Sequence, residues 1–310
     1  MKKDLLSIHD LERKDIDLIL HRAAHLKELL RKGEIYQPLQ GKTIGMIFDK
    51  SSTRTRISFE VGIYQLGGLA IFLSSRDTQL GRGETIADTA RIMSRYLSGV
   101  VIRTYDHKIV EEFAENAAIP VINGLTDLLH PCQILSDLFT IVEKRGGYEG
   151  TKIAYIGDGN NIANSWITAA VRLPLHLSLA CPEGYDPNGN ILKEGIEEAA
   201  GRITLHRDPF AAVRDVNVVY TDVWASMGQE SERETRTKAF AGYQVNKELL
   251  SHAAKDVMVM HCLPAHRGEE ITSEVIDGIQ SVIIDQAENR LHVQKAVLEI
   301  LLNGVVDNGG

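Results

Sequence analysis

The chain has 310 residues, with 34 basic side chains against 42 acidic ones and a formal net charge of −8. That balance excludes broad nucleic-acid binding, which needs a sustained basic surface. No apolar run approaches the ~18–20 residues of a bilayer span, and at 44% hydrophobic and 25% charged residues the composition is that of a soluble globular protein with room for two domains. Cys132, Cys181 and Cys262 are too widely spaced for a disulfide framework or a zinc site. The N-terminus turns charged before any signal-like stretch develops, so a cytoplasmic protein is expected.

Residues 10–31 place Ile19, Ala23, Leu26 and Leu30 on one helical face. The apolar run 42–48 reads as a strand, followed by SSTRTR and a helix that closes at Gly67-Gly68. A strand over 69–73, a helix over 84–97, strands over 99–104 and 119–123, and a helix over 134–147 come next. The pattern then restarts with a strand over 151–159 that runs into a glycine turn, and a helix through NSWITAAVRL. Strand-like runs recur at 175–181, 202–206, 216–222, 256–261 and 280–285, and residues 286–303 form an amphipathic helix. Strands alternating with helices predict an α/β chain of two domains, each a parallel sheet flanked by helices. The glycines within 146–150 mark the expected hinge, with domains over 1–147 and 148–285.

Ligands of open parallel sheets bind beyond the carboxyl ends of the strands. Six strand ends here carry polar motifs: SSTRTR, Arg103-Thr104, LLHPCQ, GDGNN, DVWASMGQE and HCLPAHRG. If the topology is right, they form one site drawn from two domains.

Each motif also has a plainer reading. Ser51 to Arg56 begins a helix, where hydroxyls cap and arginines face solvent. The same backbone N–H groups, helix dipole and guanidinium donors make an anion site. There is no GxxxxGK[ST], so it is not a Walker A loop. GDGNN holds half of a dinucleotide fingerprint, but Ile162 and Ala163 stand where a third glycine belongs, which favours a tight turn; Asn160 or Asn161 can still offer an amide. Asp222, at a strand end, suits an ammonium group or an ordinary helix cap. His130-Pro131-Cys132 and His261-Cys262 match no usual zinc spacing, and lone cysteines are more often buried and inert.

Taken as an ordered set, STRTR, Arg103-Thr104, HPCQ, DVWASMGQE and HCLPAHRG resemble the carbamoyltransferases, and within them the ornithine-specific branch. The resemblance covers nearly the whole chain. It implies a carbamoyl phosphate domain completed by a returning C-terminal helix (286–310), an L-ornithine domain, and a homotrimer with shared active sites. Ser52, Thr53, Arg54 and Thr55 match the phosphate-binding run. Gln79 matches a glutamine lent by a neighbouring subunit, and Arg290 a C-terminal arginine near the phosphate. Arg103 is implied at both phosphate and carbonyl oxygen, with His130 and Gln133 at the carbamoyl group. A cis Leu263–Pro264 bond would leave the Cys262 and Leu263 carbonyls to accept from the carbamoyl NH2. Asn161, Asp222, Ser226 and Met227 match the amino-acid site, and Asp222 with the Cys262 thiol is implied in placing and deprotonating the δ-amine. Arg103, His130, Asp222 and Cys262 are thus the expected catalytic residues, with no metal and no cofactor. The implied product is L-citrulline, with putrescine or another amine as the alternative acceptor. From other classes, an NAD-dependent enzyme rests only on GDGNN, and a non-catalytic anion-binding protein on the phosphate run alone.

Overall fold

The computed structural model describes residues 2–74, 83–225 and 232–303. The chain divides into two compact units, one formed by 1–139 with 289–310 and the other by 140–288.

The first unit contains α1 (Arg13–Arg31), β1 (Thr43–Phe48), α2 (Thr53–Gln65), β2 (Leu69–Ser74), α3 (Ile86–Tyr96), β3 (Gly99–Arg103), α4 (His107–Asn116), β4 (Val121–Leu125) and the start of α5 (Pro131–Arg145). Its sheet is parallel, in the order β2-β1-β3-β4. β1 and β3 are almost wholly buried, and so read as unbroken apolar runs rather than alternating ones. The helices start where short polar side chains satisfy free backbone N–H groups: Ser52 caps α2, Thr85 caps α3 and Asp106 caps α4. Ile47, Val100 and Ile102 pack with Ala90, Val110 and Phe113 to make part of the core.

The second unit contains β5 (Lys152–Ile156), α6 (Asn161–Arg172), β6 (His176–Ala180), α7 (Gly189–Glu198), β7 (Ile203–His206), α8 (Pro209–Ala212), β8 (Val218–Thr221), α9 (Arg233–Ala239), α10 (Lys247–Leu250), β9 (Met258–His261), α11 (Ser273–Ile276) and the start of α12 (Ile283–Asn303). Its sheet is again parallel, in the order β7-β6-β5-β8-β9. The turn after β5 comes so close to the 186–187 backbone that a side chain at Gly159 would sit 2.1 Å from the Pro187 nitrogen; only glycine fits there.

The rest of α12 belongs to the first unit. Lys27 donates to Asn289 at 2.6 Å, and Arg22 forms a bidentate pair with Glu299. The division between units falls inside α5, ahead of the glycines at 146–150.

The strand expected over 280–285 is not one. Ser281 makes a single bridge to Val259, and the backbone then turns into α12 at Ile283. The run of β-branched residues there suits an extended segment, but its length is spent on one bridge before helical bonding begins at Gln286 N to Val282 O. Among the described residues, no helix is long and apolar enough to cross a membrane.

Candidate active site

Each sheet has one place where neighbouring strands lead off in opposite directions: between β1 and β3 in the first unit, and between β5 and β8 in the second. Such switch points open a crevice at the strand carboxyl ends. In each unit, taken by itself, the polar motifs follow the carboxyl ends of that unit's own strands.

In the first unit, Ser52 accepts from Thr55 N at 3.1 Å, so it caps α2 as the plainer reading holds. Capping does not exclude anion binding, because the helix N-terminus still presents backbone donors. Thr55 is buried and its hydroxyl accepts from Arg290 Nη2 at 2.8 Å, which brings α12 to the start of α2. Arg103, at the end of β3, is 6% exposed and donates to the Lys50 and Ser51 carbonyls at 3.2 and 3.3 Å. Neither acceptor carries a charge. Burial, then the guanidinium groups of Arg290 and Arg54, lower the Arg103 pKa to about 10. Arg54 Nε is buried with no acceptor among the described residues. Two other cations of the motif are engaged elsewhere: Lys50 pairs with Asp127 at 2.8 Å, and Arg56 lies over the Phe72 ring and pairs with Glu60.

Three guanidinium groups thus crowd a largely buried position, a costly arrangement unless an anion joins them. His130 is buried beside the same arginines, and burial first, then Arg290 and Arg103, hold its pKa well below the ordinary value. It is neutral at physiological pH. Gln133, on the first turn of α5, donates from Nε2 to Asp137 at 2.8 Å. Cys132 is fully buried, its thiol pushed up to about 12 by burial and directed at the Asn123 carbonyl; it is inert.

In the second unit, Asp222 follows β8. One carboxylate oxygen accepts from Cys262 Sγ at 2.9 Å and from Val223 N at 2.8 Å, and the other from Asn160 Nδ2 at 2.7 Å. Asn160 is the N-cap of α6, its carbonyl oxygen accepting from Ile162 N and Ala163 N. Asn161 is the first helical residue. The two adjacent amides therefore differ in job, and Asn160 is the one that holds Asp222.

The Leu263–Pro264 peptide is cis, as the resemblance implies, and Leu263 has φ 59°. His261 Nδ1 accepts from Leu263 N at 2.8 Å, so Nε2 carries the proton given to Glu270 at 3.1 Å. Glu270 also accepts from His266 N.

Asp158 and Arg236 are two buried groups that the sequence reading did not single out. Arg236 donates to Asp158 at 3.0 Å, to the Trp224 carbonyl at 2.8 Å and to Glu232 at 3.0 Å. Burial raises the Asp158 pKa to about 6 despite the pull of Arg236. Gln79, Ser226 and Met227 lie outside the described residues.

Asp222, His261 and Cys262 have potential ligand atoms within 4.8 Å of one another, as do His266, Glu269 and Glu270. In the first set both ring nitrogens of His261 are already engaged, which leaves it no lone pair for a metal. In the second, Glu269 is paired with Arg233. The arrangement offers a buried cationic cradle with neutral donors in one unit, and a carboxylate–thiol pair in the other.

Residues 3–143 match the family described as "Aspartate/ornithine carbamoyltransferase, carbamoyl-P binding domain", and residues 149–301 its "Asp/Orn binding domain". The chain is 71% identical to the ornithine carbamoyltransferase of Syntrophus aciditrophicus over 302 residues, covering 97% of this chain and 100% of that one. The ornithine carbamoyltransferase structure from Pyrococcus furiosus is 52% identical with a TM-score of 0.94, covering 97% of each chain. That from Burkholderia thailandensis is 46% identical with a TM-score of 0.90, covering 98% of this chain and 99% of that one.

Proposed function

Because the chain belongs to the aspartate/ornithine carbamoyltransferase family, we propose that it moves the carbamoyl group of carbamoyl phosphate onto the δ-amino group of L-ornithine, giving L-citrulline and phosphate. The observation that carries this reading is the buried meeting of Arg54, Arg103 and Arg290 at the start of α2, a place that calls for an anion.

In this reading Ser52, Thr53, Arg54, Thr55 and Arg103 hold the phosphate, with Arg290 beside it and Gln79 supplied by a neighbouring subunit of a homotrimer. Thr55, Arg103 and His130 donate to the carbamoyl carbonyl oxygen. His130 suits that role because, as a neutral ring, it donates without adding a fourth buried charge. Gln133 and the backbone carbonyls of Cys262 and Leu263 serve the carbamoyl NH2. Asn161, Ser226 and Met227 hold the amino-acid end of ornithine, and Asp222 binds its α-ammonium. Asp222 and the Cys262 thiol also place the δ-amine and take part in removing its proton.

The neutral amine then attacks the carbonyl carbon. The C–N bond forms and negative charge collects on the carbonyl oxygen. The carbonyl then re-forms as the bond from its carbon to the bridging oxygen breaks, that electron pair leaving on phosphate, and the surplus proton of the attacking nitrogen passes to the departing phosphate. Both substrates are activated by position and by charge rather than by a covalent enzyme intermediate. A substrate amine and a mixed anhydride suffice for this reaction, so it calls for no metal or cofactor. We place the enzyme in the cytoplasm.

The direct test is citrulline formation from carbamoyl phosphate and L-ornithine, with putrescine, aspartate and N-acetylornithine as parallel acceptors. Turnover confined to ornithine is expected. Turnover with a different amine keeps the phosphate half of the assignment and overturns the other. No turnover with any acceptor favours an anion-binding protein.

A further inference from the structure

Gln133 is 1% exposed, and its two amide ends are treated differently. Nε2 donates to Asp137 Oδ1 at 2.8 Å, one turn further along α5. Oε1 is buried and meets no donor among the described residues. A buried acceptor left without a donor costs free energy. A side-chain amide can normally lower that cost by turning over. Here that is opposed, because Asp137, fully buried on the same helix, turns the accepting oxygen Oδ1 to the NH2 end, and an Oε1 placed there would face another acceptor.

We propose that Asp137 is a specificity-determining positioning residue: by fixing the Gln133 amide it keeps Oε1 turned out as an acceptor, and so selects a ligand with N–H donors beside its carbonyl. This rests on the assignment of Gln133 to the carbamoyl group. Carbamoyl phosphate has an NH2 there. Acetyl phosphate has a methyl group in its place, the same carbonyl and the same phosphate, and leaves the acceptor unmet. Asp137 touches neither ligand in this scheme; it acts through Gln133.

The test compares inhibition or dissociation constants for carbamoyl phosphate, acetyl phosphate and inorganic phosphate in the wild type and in Asp137→Asn. The wild type is expected to favour carbamoyl over acetyl phosphate by at least about tenfold, since a site built around a hydrogen bond rejects an analogue that cannot make it. In Asp137→Asn the new amide can accept from Gln133 or donate to it. Gln133 is then free to turn, and the ratio is expected to fall several-fold, mostly through weaker carbamoyl phosphate binding, while the constant for inorganic phosphate stays within about twofold. A merely structural role for Asp137 would weaken all three ligands together. That outcome, an unchanged ratio in the folded variant, or a wild type without preference would overturn the inference. If Asp137→Asn does not fold, Asp137→Ser is measured instead, its hydroxyl also able to accept or donate. A wild type that binds none of the three would overturn the site assignment itself, whereas phosphate binding without preference would overturn only the role of Asp137.

Discussion

Replacing Arg103 with Met separates what this residue does for folding from what it does for the ligand. Burial and two neighbouring guanidinium groups lower its pKa to about 10. At about 1.4 kcal/mol per tenfold, this is about 3 kcal/mol set against the charged form in the ligand-free protein. Met removes that cost and keeps most of the aliphatic stem. It also removes the hydrogen bonds to the Lys50 and Ser51 carbonyls, long at 3.2 and 3.3 Å and so worth roughly 1 kcal/mol each. The balance leaves ligand-free Arg103→Met within about 1–2 kcal/mol of the wild type, where truncating an ordinary buried side chain costs about 2–5 kcal/mol. The ligand response is a different matter. Phosphate or carbamoyl phosphate at a hundred times its dissociation constant stabilises the wild type by about 2.7 kcal/mol, and the variant should lose most of this. Turnover should fall by roughly 10²–10³-fold, the usual effect of removing one oxyanion donor. Calorimetric melts with and without phosphate, run beside a citrulline assay, read all three effects. A much lower melting temperature together with an undiminished phosphate response would refute the reasoning, because Arg103 would then be a structural cation and the anion would bind elsewhere.

Asp222→Asn keeps the shape of its site but presents an NH2 group to at least one of the three donors now aimed at the carboxylate. A loss of roughly 10²-fold or more in kcat/KM for ornithine is expected, of the size seen when a buried hydrogen-bonded charge is removed, with phosphate-induced protection unchanged; an equal loss of protection would count against the assignment. Cys262→Ser retains a donor to Asp222 and should keep far more ornithine turnover than Cys262→Ala, so equal rates in the two variants would show that the thiol contact is idle. Asp158 gives a stability effect of opposite sign to most carboxylates. Its folded pKa of about 6 lies above the ordinary 3.8, so its proton is held more tightly in the folded state and stability is lost as pH rises from about 4 to 6, then levels off. Asp158→Asn removes that slope, and its melting temperature relative to the wild type should climb across this window, by up to about 3 kcal/mol in free energy; a constant difference from pH 4 to 7 would rule the account out.

Much of this was legible in the sequence because parallel strands buried on both faces leave continuous apolar runs, as in TIGMIF and GVVIR. The polar motifs were legible for a related reason: charged and hydroxyl side chains placed directly after such runs have few structural uses. Where the sequence misled, the cause was mostly tertiary. In QSVIID, β-branched residues suggest a strand, but pairing stops at Ser281 and helix α12 takes over. The choice between Asn160 and Asn161 depends on helix phase, since one is the cap and the other the first turn, and no local signal separates them. α4 was passed over, although Asp106 marks its start. Arg236 sits in a charged stretch whose composition suggests a solvated face, and its burial comes from Asp158, far away in sequence. Arg290 was reached only through the resemblance, because nothing near it announces that α12 returns to Thr55.

That return has a consequence for how the protein is made. The first unit is discontinuous: Arg290, Asn289 and Glu299 reach Thr55, Lys27 and Arg22 across more than two hundred residues of intervening chain. The second unit is one uninterrupted segment. During synthesis from the N-terminus, the first-made unit therefore waits with its α12 groove uncovered, while the later-made unit can close as soon as it has left the ribosome. The order of translation and the order of completion are reversed. A chain ending after residue 288 would have a finished second half, while its first half, although older, would still lack the stretch of α12 that brings in Arg290.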